Sequence, residues 1–126
     1  MKVRKIREKY GDSVDRFCLR VRASKPSIIA WESGASEPSG ASRKLLEYAG
    51  EYDLSFEVAP ELKEVANIEL LKRAMAQYGD TSLRFAVRIG TSESIVLRWL
   101  SGRNIGNMAK RLIQEMCIYS ERFTKL

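Results

Sequence analysis

The stretch "YGDSVDRFCLRVRASKPSIIAWESG", residues 10–34, returns as "YGDTSLRFAVRIGTSESIVLRWLSG", residues 78–102. The two align without a gap. Tyr10, Gly11, Asp12, Arg16, Phe17, Arg20, Ser24, Trp31, Ser33 and Gly34 each meet an identical residue in the second stretch. Ser13/Thr81, Leu19/Val87, Val21/Ile89, Ile28/Val96 and Ile29/Leu97 are conservative pairs. Past the glycine one residue is skipped, and "RKLLE" (43–47) then falls on "KRLIQ" (110–114). Repetition on this scale marks one supersecondary unit used twice.

The unit reads as helices. Ser13 is a good N-cap, because its side-chain oxygen accepts from orphan backbone N–H groups. It precedes a short helical stretch, 14–20, with Phe17, Cys18 and Val21 on its apolar side; Thr81 repeats this ahead of Phe85, Ala86 and Ile89. After a break of about three residues, Ser24 or Ser92 caps a second short helix. Ile28 and Trp31, or Val96 and Trp99, share one face of it at a spacing of i, i+3 and are expected in the core. Gly34 or Gly102 stops it. Pro26 is tolerated in a first turn. Two short helices joined by a tight turn make a helix-turn-helix.

Outward from these units, a helix over 2–9 turns Val3 and Ile6 inward and Arg4, Lys5, Arg7 and Lys9 outward. Its counterpart over 68–77 turns Leu70, Leu71, Ala74 and Met75 inward. A closing helix follows each unit, near 40–49 and near 106–122. Between the copies, "EYDLSFEVAPELKEV" is acidic and contains Pro60. It reads as a loop leading into a long helix from about 61 to 77. No segment alternates over a strand's length, so the expectation is an all-α protein of nine or ten helices. It comprises two tandem five-helix-type helix-turn-helix units packed together: copy one over 1–50, a linker over 51–66, and copy two with a C-terminal helix over 67–126. Units this small are poorly stable alone.

The 126 residues, 44% of them hydrophobic, suit a globular chain. The mean hydropathy of −0.29 and the absence of a long apolar run argue against a membrane span. The basic N-terminus lacks the apolar core of a secretory signal. A soluble, cytoplasmic protein is expected. Cys18 and Cys117 are too few and too far apart for a disulfide framework or a zinc site. There is no histidine, hence neither the usual general base nor the commonest nitrogen ligand. Neither an enzyme, a metal nor a cofactor is expected. A net charge of +6 and a pI near 9.5 favour a polyanionic partner, most simply DNA.

The repeated unit resembles the lambda-repressor-like, Cro/CI-type helix-turn-helix family. "SKPSIIAWESGASEPSG" is similar to a recognition helix ending in W-E-x-G followed by a Pro-Ser turn. "RFAVRIGTSESIVLRWLSG" matches the family's Ala in the first helix and Gly in the turn. The resemblance covers residues 2–48 and 70–116. It implies sequence-specific double-stranded DNA binding in a bacterial or phage setting, on the nucleoid, with repression by operator occupancy. Copy one departs from the family by carrying Arg22 where Gly is favoured, so φ > 0 there costs a steric penalty. Val14 and Ser82 stand where the family often has a phosphate-touching Gln.

In this motif the N-terminal half of the second helix enters the major groove. Lys25, Ser27 and Ala30 are then the candidate base contacts of copy one, with Pro26 and Ile29 beside them. Ser94 and Arg98 are those of copy two, beside Glu93. Candidate phosphate contacts are Arg16, Arg20, Arg22, Arg43, Lys44, Arg84, Arg88, Arg103 and Lys110, with Asn104 and Arg111 completing the rim. Ile95 and Leu97 are apolar for a groove-facing surface and equally suit a protein interface. A homodimer, or a protein partner held in antitoxin or anti-activator fashion, is therefore the alternative. Glu32 reads as a structural ion-pair partner, and Cys18 as a packing residue.

Overall fold

The computed structural model describes residues 1–125, and every regular element among them is helical. Eight α-helices run α1 Val3–Lys9, α2 Val14–Val21, α3 Lys25–Ser33, α4 Gly40–Glu51, α5 Asn67–Tyr78, α6 Ser82–Ile89, α7 Glu93–Leu100 and α8 Asn107–Ile118. Short 3-10 turns at Pro60–Leu62 and Ser120–Phe123 follow the two closing helices. Each half therefore has four α-helices and one 3-10 helix, which makes the ten helical elements at the upper end of the nine or ten expected. No helix among the described residues is long and apolar enough to cross a membrane.

The four polar caps form as their chemistry dictates. Ser13, Ser24, Thr81 and Ser92 accept from the backbone N–H groups of Arg16, Ser27, Arg84 and Ile95. Arg22 ends α2 in the left-handed region at φ 63°, and Gly90 ends α6 at φ 79°. A non-glycine side chain there is strained. The Arg22 guanidinium meanwhile donates to the Phe56 carbonyl at 2.8 Å.

The expected helix over 61–77 is broken. Ala66 is extended, and α5 starts only at Asn67. The preceding segment is pinned by burial of Leu54, Val58 and Leu62. Its amides close tight three-residue turns, Lys63 to Pro60 and Val65 to Leu62, which redirect the chain before α5. The expected helix over 106–122 likewise ends at Ile118, where Tyr119 leaves the helical region.

A repeated polar lock holds each half together. Arg20 grips the Asp12 carboxylate with two N–H groups at 2.7 and 3.1 Å and donates a third to the Leu54 carbonyl at 2.6 Å. Its guanidinium lies 4.1 Å from the centres of the Tyr10 and Phe56 rings. In the second half Arg88 grips Asp80 at 2.7 and 3.0 Å, donates to the Phe123 carbonyl at 2.5 Å and lies 4.1 Å from the Tyr78 ring centre. The Tyr10 hydroxyl contacts the Ala49 and Tyr52 carbonyls, and the Tyr78 hydroxyl donates to the Ser120 carbonyl at 2.9 Å. The Tyr-Gly-Asp…Arg pattern thus fastens the segment beyond each closing helix to the turn ahead of α2 or α6.

The halves meet through α4 packed on α8 and on α6. By the repeat alignment Tyr48 and Glu115 are the same position, and they bond each other at 2.9 Å. Contact between like positions is what a two-fold-related interface produces. Glu115 also takes Arg111 at 2.6 Å, and Arg122 donates to the Tyr48 hydroxyl at 2.8 Å. Burial pushes the Tyr48 phenol well above its ordinary pKa.

Trp99 is buried as expected, but Trp31 is only half-buried. The alignment sets Val3 on Leu71, and α5 begins ahead of Leu71 at Asn67. Copy one lacks that extra turn, and Trp31 instead shares a shallow surface cleft with Met1, Lys2 and Lys5. Arg7, expected to point outward, turns in to pair with Glu32 at 2.8 Å, and Arg4 adds a contact at 3.2 Å.

Asp80→Ala leaves a buried guanidinium without its carboxylate and is expected to cost about 3–5 kcal/mol in urea unfolding. A loss below about 1 kcal/mol, the value of a surface pair, would show that the lock does not hold the fold. A second expectation concerns acid. The hydrogen bond from Arg7, with help from Arg4, lowers the Glu32 pKa below the usual carboxylate range. Its contribution is full above the unfolded glutamate pKa of about 4.3 and is lost as pH falls through the lower folded value. Unfolding free energy measured from pH 7 down to acid should fall less steeply in Glu32→Gln than in the parent chain.

Candidate nucleic-acid interface

The second helix of each two-helix unit lies partly on the surface. In α3, Lys25, Pro26 and Ile29 are exposed, while Ser27 and Ala30 are half-buried. Ile28 is fully buried and fixes which face points out. Lys25 pairs with Asp15 of α2 at 3.2 Å, across two exposed side chains. Such a pair is weak and easily exchanged for another anion. The Ser27 hydroxyl lies 2.8 Å from the Ser24 hydroxyl, so it is held in the helix cap. In α7, Glu93, Ser94, Leu97 and Arg98 are exposed, Ile95 is half-buried, and Val96 and Trp99 face the core.

The cations divide into two groups. Arg16, Arg22, Arg43, Arg84 and Arg103 are exposed; Lys44 and Lys110 are half-buried. Arg16 stacks 4.5 Å from the Phe56 ring centre and stands 3.7 Å from Asp12, as Arg84 stands 3.7 Å from Asp80. Arg43 pairs with Glu47 on its own helix at 3.2 Å. Arg20 and Arg88 are different. Each is spent on its aspartate and a backbone carbonyl, and the Arg88 side chain is only 5% exposed. They belong to the fold and leave the set of candidate phosphate contacts. Arg111 leaves the rim as well: it is 1% exposed and bonded to Glu115 and the Ser55 carbonyl. Spacing along a helix placed these arginines on the outer face. Each also bonds a backbone carbonyl from a segment far away in the sequence, which helix spacing does not register.

The signal for the lock was nonetheless present. Asp12/Asp80, Arg20/Arg88 and Tyr10/Tyr78 repeat together, and a carboxylate repeating with an arginine points to a pair. Nothing in the repeat marked Arg111–Glu115–Tyr48, because Glu115 falls on a tyrosine in copy one. Glu32 is the ion-pair partner expected of it. Both cysteines are half-buried free thiols, and burial raises the pKa of each. No group of three or more potential metal ligands lies together among the described residues.

The two outer faces differ in character. Copy two exposes Leu83, Val87 and Leu97, each at least half accessible. Copy one exposes Leu19 and Ile29, the counterparts of Val87 and Leu97, but sets the Asp15–Lys25 pair where copy two has Leu83 and Glu93. Comparison of the chain with protein-family models, curated proteins and solved structures finds no match.

The exposed apolar residues are not needed for folding. Leu97→Ser and Val87→Ser should each leave the unfolding free energy within about 0.5 kcal/mol of the parent. A larger loss in thermal or urea melts would place these side chains in the core.

Proposed function

We propose that the protein is a sequence-specific DNA-binding regulator of the helix-turn-helix kind, acting in the cytoplasm on the nucleoid by occupying its operator, with no chemistry of its own. The observation that carries this reading is the repeated cap–helix–turn–helix unit, which leaves Lys25 and Pro26 of α3 and Glu93 and Ser94 of α7 exposed on a surface that also carries Arg16, Arg22, Arg84 and Arg103. The basic balance of the chain supports it. Lys25 suits guanine O6 or N7, and Arg98 the same atoms from copy two, with Ser94 beside it. Ser27, occupied in its cap, and Ala30 contribute less. Arg16, Arg84, Arg22, Arg43, Lys44, Arg103 and Lys110 are the proposed phosphate contacts. Repression, rather than activation, follows only from the family resemblance.

The like-with-like contact of the closing helices supports one chain standing in for a dimer. The first turns of α3 and α7 present Lys25-Pro26-Ser27 and Glu93-Ser94-Ile95, which favour different bases. One chain would then read two unlike half-sites about one helical turn apart, or a multiple of it.

A second reading has its own support. Leu83, Val87 and Leu97 form an apolar outer face on copy two, which suits a protein partner better than a phosphate backbone. Copy one would then read DNA alone, as part of a homodimer or a heteromeric complex.

A gel shift with the DNA just upstream of the chain's own gene, followed over a range of salt, tests the proposal. With about six phosphates neutralised, log K should fall against log[salt] with a slope near −5. Lys25→Ala should weaken the specific complex by about 1–3 kcal/mol and relax one base position, while Arg16→Ala weakens all sequences alike. A flat salt response removes the DNA reading. A symmetric footprint that Glu93→Ala/Arg98→Ala leaves unchanged favours the second reading over two readers in one chain.

A further inference from the structure

A cleft of about 300 Å³ opens where copy one's α2–α3 turn faces the start of α8, lined by Arg22, Val58, Asn107, Lys110, Arg111 and Gln114. Its size is at the small end of ligand pockets. Asn107, Lys110, Arg111 and Gln114 follow the spacing i, i+3, i+4, i+7, so they form one stripe of α8. No carboxylate lines the cleft. Arg22 and Lys110 make no ion pair among the described residues.

One buried polar atom here lacks a partner, and one largely buried amide beside it is uncommitted. Arg111 is 1% exposed; its terminal nitrogens reach Glu115 and the Ser55 carbonyl, but its Nε–H has no acceptor. An unpaired buried donor is costly and asks for one. Gln114 is 5% exposed and makes no side-chain hydrogen bond to any described residue. Asn107 opens α8, and Gly106 at the N-cap has no side chain to accept from the first-turn amides. Those amides and the positive end of the helix favour an anion.

The other half of the molecule provides a control. The alignment makes Gly90 the counterpart of Arg22, Gly40 that of Asn107, and Lys44 that of Arg111. There the turn closes directly on the helix start: a Cβ on Gly90 would lie 3.3 Å from the Gly40 carbonyl oxygen and 3.9 Å from the Lys44 Cβ. The same contact is shut in one half and lined with cations and amides in the other. Arg22 stands at this opening in a strained backbone conformation, and strain of this kind clusters at ligand clamps.

We infer that this cleft between the α2–α3 turn and the N-terminus of α8 is a binding site for a phosphate-class oxyanion. Lys110 and Arg22 supply the charge, and Asn107, Gln114 and the α8 amides supply the hydrogen bonds. The site stands on its own geometry and does not require the DNA reading. Its occupant is either a backbone phosphate of bound duplex or a free phosphate group.

The test is ¹H–¹⁵N NMR of the full chain titrated with sodium phosphate at constant ionic strength, with chloride as control. The Asn107 and Gln114 side-chain amides and the Arg111 Nε–H should shift saturably. Lys110→Gln and Arg22→Gly should each weaken the response about tenfold or more, as expected for loss of a charge-assisted bond. Arg22→Gly installs the residue that copy two carries at this place, so the fold is retained. Adding a duplex of unrelated sequence separates the sources. If the duplex moves the same signals and phosphate competes with it, the occupant is a backbone phosphate. If phosphate alone moves them and the duplex does not, the occupant is a free phosphate. Either outcome supports the site. Shifts no larger than those in chloride, or equal in parent and variants, overturn it. Failure of the chain to bind any duplex in a gel shift removes the DNA reading and leaves the phosphate titration as it stands.

Discussion

The grip of an aspartate on an arginine eight residues later is the constraint on which each half of the chain depends. The short helices α2 and α6 are eight residues each, too short to be stable alone, and most of their helicity must come from packing. Phe17 and Phe85 supply the packing, buried to 0% exposure. Packing fixes a helix against its neighbours but leaves the chain beyond the closing helix free. Arg20 and Arg88 tie that chain in, each through one carbonyl from a segment distant in sequence. The arginine fits the task because its planar fork bonds a carboxylate with two N–H groups and still has a third to offer. An aromatic ring on the face of each guanidinium covers the side that no hydrogen bond uses.

Once the tails are tied down, the closing helices have one face left to bury, and they bury it against each other. Leu45, Leu46, Leu112 and Ile113 are all fully buried. The polar cluster of Tyr48, Glu115, Arg111 and Arg122 is set into this seam. Glu115 is 3% exposed and is held between a phenol and a guanidinium, so the charge it carries is paired. A buried polar pair of this sort adds little net stability, but it penalises any register in which the partners separate. The seam therefore sets how the two units face each other, and with them α3 and α7.

The sequence made the helices and their starts legible because those are decided locally. The repeat located the units, and Ser13, Ser24, Thr81 and Ser92 cap the helices they precede. Arg22 was legible as a residue in conflict with its turn, and the turn places it at φ 63°. What local rules missed was decided by distant partners. Arg20 and Arg88 fall on a charged outer stripe by spacing, yet Leu54 and Phe123 pull them inward. Trp31 and Trp99 look alike in their own helices; their burial differs with what the rest of the fold packs over them. The break before Asn67 arises from side chains such as Leu62 seeking the core, which no helix rule weighs. At the candidate interface, Lys25, Pro26, Ile29, Glu93, Ser94, Leu97 and Arg98 are exposed as their helix faces imply, while Ser27, Ala30 and Ile95 are half-buried, and the cleft beside Lys110 appears only when the halves are brought together.

Comparison of the two halves separates what the fold requires from what it tolerates. Positions that enter the lock are identical in both: tyrosine, aspartate and arginine. Positions in the core are identical or similar: Phe17/Phe85, Val21/Ile89, Ile28/Val96. The exposed positions change chemistry altogether: Lys25 to Glu93 and Asp15 to Leu83. A side chain that is exposed, such as Lys25 or Glu93, touches little that the fold depends on, so its identity is free to follow the surface's own task. The two halves have one architecture because the lock and the core leave no alternative. Their faces differ because nothing inside the molecule makes them agree, so whatever meets α3 meets a different surface at α7. The same logic applies at the turn, where Gly90 lets copy two close tightly on α4. In copy one the equivalent place is an open cleft, and Arg22 stands beside it at φ 63° in a strained backbone conformation. A residue that strains its own backbone gains nothing for the fold from its side chain except one hydrogen bond to Phe56. The same residue lines the cleft shared with Lys110, and that is where its presence bears on more than the fold.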